Sequence, residues 1–97
     1  GLNETAIGMT LPPFGLQIAL CRISKRHQTE AIIQAQLFGA DAAKDVGFLD
    51  QVVAEESLQE TAMTAAKALT ELPTKAYAAM KHDVRKHYID IIAASLA

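Results

Sequence analysis

One carboxylate, Glu4, stands in the otherwise small and largely apolar stretch Leu2-Asn3-Glu4-Thr5-Ala6-Ile7-Gly8-Met9-Thr10-Leu11, with Gly8 four residues on and Pro12 four beyond that. A carboxylate held in apolar surroundings is pushed towards its neutral form and suits general acid–base work. A carboxylate near a chain end is also commonly no more than a solvated group, so position alone leaves both readings open. The other chemistry-bearing residues are sparse. Cys21 is the single cysteine, which rules out an internal disulfide, and it reads as a small buried hydrophobe rather than a nucleophile. His27, His82 and His87 lack metal-ligand spacing, and Asp83 with His87, four residues apart, reads as a surface ion pair on a helix. Met63 and Met80 fall at core or near-core helical positions. The sequence holds no Gly-rich phosphate loop, no His-Glu-x-x-His helix and no cysteine pair for a metal.

These residues must be positioned by a small chain. At 97 residues it amounts to one domain at most, and 51% of it is hydrophobic with only five aromatic side chains, Phe14, Phe38, Phe48, Tyr77 and Tyr88. An alanine-rich, aromatic-poor composition favours closely packed helices. The net charge of −2 gives no support for a nucleic-acid partner, and Lys25-Arg26-His27 reads as a solvated helix end. No apolar run approaches the roughly 20 residues that span a bilayer, and the start lacks the basic flank of a signal peptide. A soluble, cytoplasmic protein is the expectation.

Residues 2–11 read as extended or looped rather than helical. Pro13 suits the first turn of a helix running to about Cys21 or Arg22, apolar nearly all round and hence buried on more than one side. Ser24 reads as the N-cap of a helix over 25–38 that ends at a left-handed Gly39, with Ala31, Ala35 and Phe38, and Ile32 nearby, as its inner stripe. Asp41 would cap a short helix, 42–46, stopped by Gly47, and Phe48–Val53 follows as a short strand or extended connector. Leu58, Ala62, Ala65, Leu69 and Leu72 form one stripe of an amphipathic helix over 55–71. Pro73 breaks that helix and opens another, which keeps helical spacing to the C-terminus with a joint near Lys86. Its last turns, Ile89–Ala94, carry more apolar surface than one short bundle covers, which marks an interface. The fold class is mainly α, with at most one or two short extended segments.

Three pieces in register carry a resemblance to the crotonase superfamily, the enoyl-CoA hydratase/isomerase family, across nearly the whole chain. The stretch Asn3–Pro12 resembles the family loop that bears an acid, a glycine four residues later, and then a proline opening a helix. Residues 37–53, Leu-Phe-Gly-Ala-Asp-Ala-Ala-Lys-Asp-Val-Gly-Phe-Leu-Asp-Gln-Val-Val, resemble its T-G-x-x-x-x-A-x-E-A-x-x-x-G-L-V-D-x-V-V signature. Leu58, Ala62, Ala66 and Leu69, then Pro73, Ala76-Tyr77 and Lys81, are similar to its closing helix pair.

The resemblance implies a site for acyl-CoA thioesters in which two backbone N–H groups stabilise an enolate-like oxyanion and a glutamate moves protons. Glu4 falls on the second of the two glutamates that hydratases use, with Ala6, Ile7 and Met9 as the neighbours of a base in a partly dry pocket. The CoA thioester is the substrate and no resident cofactor is implied. Pro12-Pro13-Phe14-Gly15 replaces the family's P-G-A-G-G turn, which weighs against hydration in particular. The oxyanion-hole loops and the first glutamate belong, by the same resemblance, to an upstream β/α core outside these residues. The expected organisation is therefore one truncated unit over 1–97. It comprises an active-site-like loop at 1–12, helices and connector at 13–54, and a helical pair at 55–97 resembling the region through which family members oligomerise. Such a unit would be inactive alone, with homo-oligomer contacts through its C-terminal helices and acyl-CoA bound only beside the upstream half. The alternative is a naturally short helical oligomerisation or binding module derived from that family.

Overall fold

Prolines set the first boundary of the chain's regular structure. In the computed structural model, which describes residues 1–96, Pro12 is extended and Pro13 is the first residue of helix α1, Pro13–Arg22. A proline there loses no helical hydrogen bond, because the first N–H groups of a helix have no intrahelical acceptor. The carbonyls at the far end of α1 are met by a side chain: Gln28 Nε2 donates to the Leu20 and Ile23 oxygens at 3.2 and 3.3 Å. Helix α2 is Ala40–Val46, α3 is Leu58–Leu69 and α4 is Thr74–Leu96. Single 3₁₀ turns stand at Thr5–Ile7, Lys25–His27 and Glu55–Ser57, and a π-helical turn at Thr29–Ile33. The class is mainly α, and among the described residues there is no strand.

Two compact units divide the chain. The first comprises Gly1–Val52 together with the chain from His87 onward. Its core is Ala19, Ile23, Ala31 and Val46, closed by Leu2, Leu11, Ile32 and the Phe38–Phe48 pair, whose rings lie 6.0 Å apart. Small residues dominate this core, so backbones approach closely. At Gly47 the approach is closest: a Cβ there would lie 2.7 Å from the Arg22 carbonyl oxygen, and φ is +113°. The adjoining Val46 carbonyl accepts from the Ser24 amide at 2.8 Å, which fixes the end of α2 against the end of α1. An exposed ion pair, Arg22 Nη2 to Asp50 Oδ1 at 2.7 Å, spans the same junction.

The second unit is Val53–Lys86, which holds α3, the turn at Thr70–Leu72 and the first half of α4. No residue in this unit is buried. Of the stripe Leu58, Ala62, Ala65, Leu69 and Leu72, the first four are on α3 as the spacing predicts and Leu72 falls in the turn after it, yet Leu58, Leu69 and Leu72 are about half exposed.

Several expectations need correction. The helix expected over 25–38 is a 3₁₀ turn followed by a π turn that ends at Ile33, because Ala35 takes a left-handed φ of 55°. Gly39 is not a left-handed stop; it is the extended N-cap of α2, which begins at Ala40, so Asp41 lies inside the first turn. Ser24 makes no side-chain cap. Residues 48–53 form a connector rather than a strand, and the expected helix over 55–71 begins as a 3₁₀ turn and ends at Leu69. The backbone of helix α4 is unbroken through Lys86, while the division between the two compact units falls at Lys86, where the joint was expected. On α1 only Ala19 is buried, while Phe14 and Ile18 are exposed, so the helix is not enclosed on several sides. Met63 and Met80 are exposed rather than in a core.

Candidate active site

Glu4 begins a short, internally bonded turn. Its carbonyl accepts from the amides of Ile7 and Met9 at 3.1 and 2.8 Å, and the Gly8 amide donates to the Thr5 carbonyl at 3.2 Å. Gly8 closes the turn with a left-handed φ of +74°, a conformation that glycine adopts without the steric cost a Cβ imposes. On either side the chain is anchored by apolar residues packed on the core, Leu2 before the turn and Leu11 after it. The Thr5 hydroxyl adds a tie, donating to the Ile32 carbonyl at 3.4 Å.

The Glu4 side chain is half-buried and lines a cavity of about 220 Å³ with Thr5, Thr10, Leu11, Leu16, Ile32 and Ile33. Glu4 is the one ionisable residue in that lining, set between two hydroxyls and an aliphatic wall. This arrangement presents a proton acceptor or donor to a ligand with an apolar part. The neighbours expected to dry the acid do not do so. Ala6, Ile7 and Met9 are exposed, and the apolar wall comes instead from Leu11, from Leu16 on α1 and from the π turn. Nothing local in the sequence ties Ile32 or Ile33 to Glu4; they lie 28 and 29 residues away and reach it only through the fold.

Cys21 is exposed, not buried, and lines a separate cavity of about 530 Å³ with Lys25, Gln28, His87 and Tyr88 among others. Asp83 does not pair with His87; it stands 3.8 Å from His82 Nδ1, and His87 packs edge-on against Tyr88. His27 Nδ1 is buried without a hydrogen-bond partner. Among the described residues no three His, Cys, Asp or Glu side chains are grouped to hold a metal. None of the described helices is long and apolar enough to cross a membrane.

Residues 1–96 match the family model for enoyl-CoA hydratase/isomerase. The human mitochondrial enoyl-CoA delta isomerase 1 is 38% identical over 87 residues, covering 89% of this chain and 28% of that protein. Among solved structures, an enoyl-CoA hydratase/isomerase family protein from Pseudomonas syringae superposes with a TM-score of 0.89 at 37% identity, over 98% of this chain and 41% of that one. An enoyl-CoA hydratase from Mycobacterium marinum superposes with a TM-score of 0.87 at 29% identity, over 96% of this chain and 41% of that one. The chain thus spans well under half the length of these relatives. With a family match over its described length and the same backbone arrangement, the chain belongs to the enoyl-CoA hydratase/isomerase family.

Proposed function

We propose that these residues are the C-terminal part of an enzyme that shifts the double bond of an enoyl-CoA thioester, with Glu4 as its acid/base. The observation that carries the reading is the placement of Glu4 as the one ionisable group in an apolar cavity, in a chain that belongs to this family. Isomerisation needs a proton taken from one carbon of the acyl chain and returned two carbons away, a task within reach of one carboxylate once the thioester oxygen is stabilised. Hydration needs a water activated and a carbon protonated, work that a pair of carboxylates shares. The relative at 38% identity is named an isomerase, which favours the first chemistry. Donors to the enolate oxygen come, in this proposal, from segments outside these residues, so the 97 residues alone give no turnover. CoA enters as part of the substrate, and no resident cofactor is involved. A cytoplasmic setting is carried with the proposal; the human relative is mitochondrial by name, and cell fractionation tests the difference.

The test is Glu4→Gln in the full-length chain. Loss of a positioned acid/base costs about 10² to 10⁴ in rate, so kcat falls by at least about 100-fold while the melting temperature moves by no more than a few degrees. Retained turnover removes Glu4 from the chemistry. A second reading, an assembly module acting through its C-terminal helices as a homo-oligomer, is favoured by the exposed apolar stripe of Val53–Lys86. A monomer by native mass at micromolar concentration counts against it.

A further inference from the structure

We infer that Thr5 is a positioning residue: its hydroxyl, through the Ile32 carbonyl, sets where the Glu4 carboxylate stands. The inference rests on the acid/base role proposed for Glu4 and extends it to a residue that does not react. Inside the turn, the Glu4 and Thr5 carbonyls take the three amides of Ile7, Gly8 and Met9, so residues 4–9 move as one body. That body has little to hold it from outside. Ala6, Ile7 and Met9 are exposed, and the apolar anchors Leu2 and Leu11 lie beyond its two ends. Among the described residues, the tie from a side chain of this turn to another element is Thr5 Oγ1 to the Ile32 oxygen at 3.4 Å.

The acceptor is made available by an irregularity. The π turn Thr29–Ile33 ends where Ala35 goes left-handed, and the Gln36 amide turns back to the Glu30 oxygen at 2.9 Å. Carbonyls in the last turn of a helix lack intrahelical donors, and Thr5 supplies one to Ile32. Ile32 also lines the cavity that Glu4 faces, so the same contact holds the acid in register with its apolar wall. Reaction rates respond steeply to small displacements of a catalytic group, and a shift of about 1 Å can cost 10²-fold.

The experiment compares Thr5→Val and Thr5→Ser with Glu4→Gln in the full-length chain, on a 3-enoyl-CoA and on a 2-enoyl-CoA in water. Thr5→Val, which keeps the branched shape and loses the donor, is expected to lower kcat about tenfold with KM within about twofold. Thr5→Ser, which keeps the donor, restores kcat to within about twofold of the parent. Equal kcat for the parent and Thr5→Val overturns the inference, as does an equal loss in both Thr5 variants. A loss confined to KM overturns it too. If Thr5→Val fails to fold, a full rate in Thr5→Ser supports the tie and a tenfold drop refutes it. Undiminished turnover in Glu4→Gln on both substrates refutes the underlying reading instead, a result separable from every Thr5 outcome.

Discussion

The two left-handed glycines differ in what surrounds them. Gly8 has open space where a Cβ would stand, whereas at Gly47 a Cβ would meet the Arg22 carbonyl oxygen at 2.7 Å and the Ser24 amide nitrogen at 3.1 Å. Gly8→Ala carries only the conformational cost of a left-handed L-residue, about 1–2 kcal/mol. Gly47→Ala adds a clash with backbone that cannot swing aside, and its loss should reach at least about 3 kcal/mol. Urea midpoints of the two variants check the ordering, and a smaller loss at Gly47 than at Gly8 would contradict it. Glu4 lies in the turn that Gly8 closes. Replacing it by Gln leaves the turn's backbone hydrogen bonds in place, so on the proposed acid/base role the variant is expected to lose turnover and keep its fold.

Elements were legible in the sequence to the degree that their signals were local. Pro13, the Gly47 stop and the stripe of α3 depend on residues a few positions apart, and a helix stands at each, with the starts of α2 and α3 and the end of α3 shifted by two or three residues from the spacing. The segment 25–38 failed as one helix: the backbone widens into a π turn around the fully buried Ala31, the turn ends at Ile33, and Ala35 is left-handed. Nothing in Ser24 or Gly39 as residue types announces that. The candidate site divides in the same way. Glu4 was visible from its odd setting and from the family loop, while the π turn's share of the wall depends on a fold that brings residues 28 apart together. Ala31 is tightly seated. Ala31→Leu should destabilise the first unit by about 1–3 kcal/mol, the usual effect of overpacking a filled core, whereas Ala78→Leu on the exposed face of α4 should stay within about 0.5 kcal/mol. Thermal melts of the pair measure it, and equal values would mean the core yields more readily than its burial implies.

Across the whole molecule, burial is uneven. Among the described residues four are buried, all in the unit of Gly1–Val52 and the chain from His87, and the unit Val53–Lys86 has none. Regions with few buried apolar contacts open at low free energy. Hydrogen exchange on the isolated 97-residue chain should therefore find slow amides in α1 and α2, and near-unprotected ones across α3. Protection of α3 that rises with protein concentration would identify self-association as the source of its order, and uniform protection at high dilution would contradict the uneven burial. Any such concentration series meets a practical trap in Cys21. A lone accessible thiol can pair only with another molecule, so without reductant the chain acquires a covalent dimer that mimics assembly. The same thiol offers a ready handle: one maleimide dye reports on the far end of α1 without any engineered cysteine.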